Sequence, residues 1–453
     1  MSPHNRRGWF VTRIALLTGA TLLGSASAAD ERRYQQQAEA LAQAPRSSED
    51  EPFAQSTVLE RAELVRQVLA RNPSLEAARE AWRATLARYP QESALEDPML
   101  SYSVAPLSIT GGERFGQVVE LSQQLPFPGK RGLRGEVALA EAEAMREDLE
   151  ELRLRLALMA STLFDDLFIV QRSLAINDEH LRLLEQLKKS AEAQYVAGRA
   201  SQQDPLQAEV ELSDVLREKV ALESERERVR AQLNGLLHRI PLAPLHPPPD
   251  SLSVPTEAPG SSEALQDEAL RQRPELEGIR ARLGGGEAAV RLAHRDYYPD
   301  FRVMGSYNSM WMETPHQFMA GVSINVPLDF GKRKAAVQEA EARLQRLRRD
   351  EERLIDDIRV EVEQARTRLV EARRVVELFR ERIVPAARDQ VAAARAGFES
   401  GKNSFQVLIE AERNLRSVEL RSQMAVADVQ RRQAELDRAT GHIPGLPREE
   451  GAR

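Results

Sequence analysis

The sequence predicts a mainly helical chain with a β-barrel part, and three observations lead there. The chain repeats itself at a spacing of about 200 residues. Each half holds two strand-like segments followed by two very long helices. After the N-terminal segment no apolar run reaches the roughly 18 residues that a membrane helix needs, so any entry into a membrane must use strands.

Three marks set the register of the repeat. Arg71-Asn72-Pro73-Ser74-Leu75-Glu76 recurs as Gln272-Arg273-Pro274-Glu275-Leu276-Glu277. The segment from Leu121 to Arg131 returns from Ile324 to Arg333, each time a strand running into Gly-Lys-Arg. Tyr195 to Ser201 is matched by Phe398 to Ser404. A period this long marks a duplicated half-protein rather than a short-repeat solenoid. The expected organisation is a signal peptide over 1–28, an extended linker over 29–55, a first repeat over 56–240, a Pro-rich linker over 241–262, a second repeat over 263–441 and a tail over 442–453.

The first element follows from charge and hydropathy. Arg6, Arg7 and Arg13, an apolar run from Ile14 to Leu23, and Ala26-Ser27-Ala28 read as an export signal with its cleavage site. Without those arginines the formal charge moves from −7 to about −10, which argues against nucleic acid as a partner. The chain has no cysteine, so disulfides, thiolate metal sites and a cysteine nucleophile are excluded together. Residues 29–55 are rich in Gln and Ala without a clear period, hence the extended reading.

The strands come next in each half. Phe318, Ala320, Val322, Ile324 and Val326 alternate with Gln317, Met319, Gly321, Ser323 and Asn325, a period of two with one apolar face. Pro299 to Trp311 does likewise; Met99 to Pro106 and Phe115 to Gln124 follow the pattern more loosely. Tyr297, Tyr298, Trp311 and Phe318 sit near strand ends, where an interfacial girdle or ordinary core filling would place them. The loops 107–114 and 310–316 are expected on the side opposite the helices.

The long helices follow. Glu136 to Ala197 contains neither Gly nor Pro, and its 62 residues would span roughly 90 Å. Lys332 to Ala396 repeats it with Pro385 as the only breaker, a predicted kink. Return helices are expected over Leu206 to Asn234 and Phe405 to Thr440, so each half ends in an antiparallel coiled-coil hairpin. Leu156, Met159, Leu163, Leu167 and Val170 provide its apolar stripe.

Four strands cannot close a barrel, and an open sheet leaves its edges unpaired in lipid. Two copies would give eight strands with a filled interior, and three give twelve with a lumen. The sequence therefore predicts a homotrimer in outer-membrane lipid.

These residues resemble the TolC-type outer membrane factors, the exit ducts of tripartite efflux and type I secretion systems, over about Ser56 to Gly441. The run LSQQLPFPGKRGLR from Leu121 to Arg134 is most similar to the heavy-metal branch of the CzcC and CusC kind. The resemblance implies a trimer with a shared 12-stranded barrel in the outer membrane of a Gram-negative bacterium and a periplasmic α-barrel. It also implies a periplasmic adaptor and an inner-membrane pump of the RND type as partners, with no cofactor. By the same resemblance, Gly198, Arg199, Ala200 and Ser201 with Gly401, Lys402, Asn403 and Ser404 form the hairpin tips that meet the adaptor. Asp204 matches an aspartate that holds the closed state, and Glu410 an acidic ring position. Phe398 stands where the family often has a tyrosine, Asn403 where it has an arginine, and Val407 where it has a second acid, so the gate here departs from the family pattern. Independently of the resemblance, glycine permits the left-handed turn that ends a helix, and Ser201 or Ser404 can cap the returning one. Asp204-Pro205 suits a helix start.

No catalytic arrangement is apparent. The histidines at 180, 238, 246, 294, 316 and 442 lack ligand spacing, and no phosphate loop or nucleophile elbow occurs. Met304, Met310, Met312 and Met319 read as packing residues rather than a soft-metal site. The sequence thus points to a passive duct, with a type I secretion channel as the nearest alternative and a periplasmic coiled-coil adaptor or scaffold as the alternative from another class.

Overall fold

A computed structural model describes residues 28–43, 57–105, 116–255, 258–311 and 314–447. The expected signal peptide before residue 28, the 107–114 loop and residues 448–453 of the expected tail lie outside them. The helices are α1 (Ala28–Gln43), α2 (Arg61–Arg71), α3 (Pro73–Leu86) and α4 (Arg88–Ser93), followed by strands β1 (Met99–Ala105) and β2 (Gly116–Leu125). Then come α5 (Lys130–Val196), α6 (Gln203–Leu236), α7 (Ser262–Gln272) and α8 (Pro274–Arg295), strands β3 (Phe301–Asn308) and β4 (Phe318–Ile324), and α9 (Phe330–Leu378). A π-helical turn (Phe379–Ile383), α10 (Val384–Glu399) and α11 (Phe405–Ala439) complete the order. Ala28–Gln43 is a helix where an extended segment was expected. Its stability comes from tertiary contact: Tyr34 stacks on buried Tyr89 at 5.0 Å, a partner 55 residues away that a local period cannot reveal.

The described residues fall into two compact units, one from 28–39, 85–105, 116–141, 284–311 and 314–345, the other from 40–43, 57–84, 142–255, 258–283 and 346–447. The first holds one antiparallel sheet in the order β1-β2-β3-β4. The register sets Tyr102 beside Val119, Val119 beside Tyr307, and Tyr307 beside Phe318. One face therefore carries Leu100, Tyr102, Val104, Val119, Leu121, Val303, Val322 and Ile324, and each of these is exposed. The other face carries Ser101, Ser103, Glu120, Gln124, Arg302, Ser306 and Ser323. An exposed face of large apolar groups opposite a polar one is the reverse of a water-soluble sheet, where the apolar side would be covered. Aromatic pairs stand at both strand ends: Phe127 on Tyr298 at 4.6 Å and Tyr297 on Phe330 at 6.5 Å at one, Tyr307 on Phe318 at 5.1 Å at the other. Met304 lies against Gly321 and Met310 against Gly116, as packing residues.

The second unit is built from the helical hairpins. Its buried face on α5 runs through Leu156, Ala160, Phe164 and Leu167, whereas Met159, expected in the stripe, is 46% exposed. A core of Leu265, Ala269, Leu276, Ile358, Val362, Leu369, Val429 and Leu436 ties α7, α8, α9 and α11 together. Where a kink was expected at Pro385, the helix carries a π turn, which ends with the Val384 N–H donating to the Phe379 carbonyl, and Pro385 follows in the first turn of α10. Five-residue spacing in that bond inserts one extra residue into the helix.

Candidate functional site

The two hairpin tips have the same backbone. Gly198 and Gly401 have φ of +69° and +72°, the left-handed conformation that glycine adopts without a Cβ penalty. At the first tip the Gly198 N–H donates to the Tyr195 carbonyl (2.9 Å) and the Arg199 N–H to the Gln194 carbonyl (2.8 Å). At the second, Gly401 bonds to Phe398 (3.0 Å) and Lys402 to Gly397 (2.8 Å) in the same pattern. Both are Schellman closures, which satisfy the orphan carbonyls of the outgoing helix.

The returning helices start differently. Ser201 Oγ accepts the Gln203 N–H at 3.2 Å, and Asp204 lies in the first turn of α6. Ser404 occupies the cap position of α11 without a side-chain cap bond; its carbonyl accepts the Val407 N–H instead. Asn403 lies directly against Gly397, so that a Cβ at 397 would collide with it. Arg199, Ala200 and Lys402 belong to the tip loops, where Lys402 is exposed.

Of the sequence candidates, Phe398 is placed most firmly. It packs on Phe405 at 5.5 Å and adjoins the cluster of Leu181, Leu184, Ala191, Ala208, Phe405 and Ile409, which joins the two hairpins. Glu410 accepts a hydrogen bond from Gln406 at 3.0 Å on its own helix. Asp204, Phe398 and Asn403 are not joined to one another by any hydrogen bond or ion pair among the described residues.

What does link the hairpins is a set of ion pairs absent from the sequence reading. Arg413 on α11 forms a two-pronged pair with Glu211 on α6, whose carboxylate is buried. Arg416 donates to Glu218 at 2.6 Å one turn further along. The hydrogen bond to Glu211 raises the Arg413 pKa, with its burial opposing. His180 on α5 is buried beside these groups, and that burial, aided by Arg416 and Arg413 and opposed by Glu211 and Glu218, pushes its pKa down to about 4. The imidazole is therefore neutral at ordinary pH. Within the second hairpin Arg395 pairs with buried Glu412 at 2.9 Å. The signal that could have found Glu211 is its place on the inward stripe of α6 with Ala208 and Val215, since a carboxylate there needs a cation facing it.

Outward from this cluster, Leu206, Val210 and Val220 on α6 are exposed. Leu206 and Val210 stand one turn apart, and Val220 lies further along the same face beyond Ser213 and Arg217.

The family model described as outer membrane efflux protein matches residues 64–238 and 265–442, one stretch in each repeat. No curated relative matches. Among solved structures, the outer-membrane channel OprN is 20% identical and superposes with a TM-score of 0.72, covering 89% of this chain and 98% of that one. CusC, described in terms of transmembrane channel formation, is 19% identical with a TM-score of 0.72, covering 88% and 96%. The open state of the MtrE outer membrane channel of Neisseria gonorrhoeae is 20% identical with a TM-score of 0.71, covering 86% and 91%.

Proposed function

The chain belongs to the outer membrane efflux protein family, and from that premise we propose that it works as a homotrimeric, passive exit duct of a tripartite efflux system. Three copies would share a 12-stranded barrel, and the hairpins would continue the duct through the periplasm to an adaptor and an inner-membrane pump of the RND type. The observation that carries this reading is the four-stranded sheet, open at both edges, with its apolar face exposed. In lipid that face is stable and the open edges are not, so further copies must supply the missing strands. The exposed Leu206, Val210 and Val220 support the same assembly at the level of the helices.

A heavy-metal cation is the proposed cargo class, on the segment from Leu121 to Arg134 and the likeness to CusC. The tips around Gly198–Ser201 and Gly401–Ser404 are the proposed adaptor contacts. Closure would rest on Asp204 and Glu410 as acidic positions, with Glu211–Arg413 and Glu218–Arg416 holding the two hairpins of each chain together. Phe398 and Asn403 contribute packing.

Bilayer conductance of the purified trimer tests this. A small cation-selective pore is expected, enlarged by Arg413→Ala and altered in selectivity by Asp204→Ala or Glu410→Ala. Folded trimer that conducts nothing under any of these substitutions would overturn the duct reading.

A further inference from the structure

The duplication makes one half of the sheet a template for an interface that the single chain leaves open. Lys130 is buried in the first Gly-Lys-Arg, where its ammonium reaches Asp300 at 2.9 Å, Asp296 at 3.4 Å and the Tyr298 carbonyl at 3.1 Å. It thereby fixes the end of the first strand pair to the start of the second. Its counterpart Lys332 is exposed, and its side chain has no hydrogen bond or ion pair among the described residues. Asp97, just before β1, is exposed and unpaired in the same way.

The structure itself aligns the halves here. Arg131 donates to the Ser93 carbonyl at 2.8 and 2.6 Å, and Arg333 donates to the Asp296 carbonyl at 2.8 Å. Setting these two latches on each other places Ser93 on Asp296 and therefore Asp97 on Asp300; at the end of the second strand of each pair Leu125-Pro126 matches Val326-Pro327, the second half carrying one more residue between that proline and its Gly-Lys-Arg. The acid that holds Lys130 thus has an equivalent, and it lies at the opposite free edge of the sheet from Lys332.

We infer that β4 and Lys332 of one copy dock on β1 and Asp97 of the next, in the register that β2 and β3 use within the chain. The inference rests on the trimeric reading above and supplies its contacts. Carrying the observed pairs Gln123 with Val303 and Ser122 with Met304 across the repeat places Ile324 beside Leu100 and Ser323 beside Ser101 of the next copy. Val322 then meets Tyr102, and Ala320 meets Val104. Every transferred pair joins like faces: Val322, Ile324, Leu100, Tyr102 and Val104 all lie on the exposed apolar side, and both serines on the polar side. A slip of one residue would set apolar against polar along the whole edge. Lys332 then gains the carboxylate of Asp97, as Lys130 gains that of Asp300.

The absence of native cysteine makes the register directly readable. In the template ladder the Ser309 N–H donates to the Gln117 carbonyl, so the pair Ser122 and Met304, an odd five residues further along the same two strands, is of the close, non-hydrogen-bonded kind. Ser323 and Ser101 inherit that geometry. The full-length trimer carrying Ser323→Cys with Ser101→Cys should form covalent dimers and trimers on mild oxidation. Ser323→Cys with Ser103→Cys or with Met99→Cys should not, because a two-residue slip adds about 6.6 Å along the strand, beyond disulfide reach. Lys332→Glu should lower the temperature at which the trimer dissociates, and adding Asp97→Lys should restore it. Cross-linking by a slipped pair, or no cross-link in a species that native mass shows to be a trimer, would overturn the register. Failure of Asp97→Lys to rescue Lys332→Glu would overturn the ion pair. A monomer by native mass would instead remove the trimeric reading on which both rest.

Discussion

The two halves of the chain reach the same hairpin tip by different helices, and the difference shows what the duplication holds fixed. In the first half α5 runs unbroken for 67 residues. In the second, α9 gives way to a five-residue π turn before α10. The distance along the sequence from Gly129 to Gly198 is one residue shorter than from Gly331 to Gly401. A π turn accommodates one inserted residue, so the extra residue is absorbed where Pro385 would in any case deprive the helix of an N–H. The tip keeps its geometry, and the sheet end keeps its arginine latch although Gly129 is left-handed at φ +91° and Lys130 is buried where Lys332 is exposed. The Gly-Lys-Arg latches recur at one end and the Schellman closures at the other.

The same comparison applies where the return helices end, and it can be broken by mutation. Asn72 and Arg273 precede the equivalent prolines, and each side chain reaches a carbonyl at the end of a return helix, Leu236 at 3.0 Å and Ala439 at 3.3 Å. Arg273 does more. Only 4% exposed, it also pairs with Glu275 at 2.7 Å and Glu361 at 2.9 Å. Arg273→Ala should be the most damaging of the single substitutions considered, costing about 3 kcal/mol, because Glu275 and Glu361 lose one of the two arginines they share and Arg438 alone must hold both. Asn72→Ala removes neutral hydrogen bonds and should cost about 1 kcal/mol. Denaturant titration of the two variants checks this; equal losses would mean that the halves bear their ends alike.

His180 separates the halves by pH. Its folded pKa of about 4 lies below the value of about 6.5 for the exposed side chain, so the unfolded chain takes up the proton first. The contribution is therefore complete above pH 6.5 and is lost as the pH falls through that window toward 4, amounting to about 3 kcal/mol. Its counterpart in the second half is Ile383 in the π turn, which cannot titrate. His180→Gln should flatten the difference in stability between pH 7 and 4 relative to wild type. Parallel pH profiles for the two proteins would show that the imidazole is already hydrated in the folded state.

How far the sequence foretold this depends on the range of each signal. Gly198 and Gly401 were legible because a left-handed helix end needs that residue type, and Pro385 because no other residue breaks the helix so strongly. The alternation from Phe318 to Ile324 was legible because its period of two is local. The π turn was not, since it appears only when the intervals of the two repeats are compared. Met159 was placed on the wrong side because a spacing of three or four leaves the phase of a long helix open to drift, and Phe164 proved to lie on the buried line. The pairs of Glu211 with Arg413 and Glu218 with Arg416 were hidden among charged residues making up 29% of the chain, with partners about 200 positions apart. Ser404 shows the converse: a favoured residue at the cap position, with its hydroxyl unused there.

The smallest expected effect, that of His238→Gly, belongs to a comparison of the last turns of the two return helices. α6 ends in a Schellman closure with His238 in the left-handed region at φ +54°, and α11 ends in the same closure with Gly441 at φ +87°. The halves differ in what surrounds that residue. A Cβ on Gly441 would stand 2.9 Å from the Gln272 backbone, which cannot move aside, so Gly441→Ala adds a collision to the left-handed strain and should cost about 2 kcal/mol. His238 already carries a Cβ, so its half has room, and the strain alone remains. His238→Gly removes that strain while loosening the unfolded chain, for a net gain of about 0.5 kcal/mol. Thermal unfolding of both variants would sharpen the comparison: opposite shifts, the larger for Gly441→Ala, mean that the second half is the more tightly closed. A loss on His238→Gly would instead mean that the imidazole makes a contact that outweighs its backbone strain.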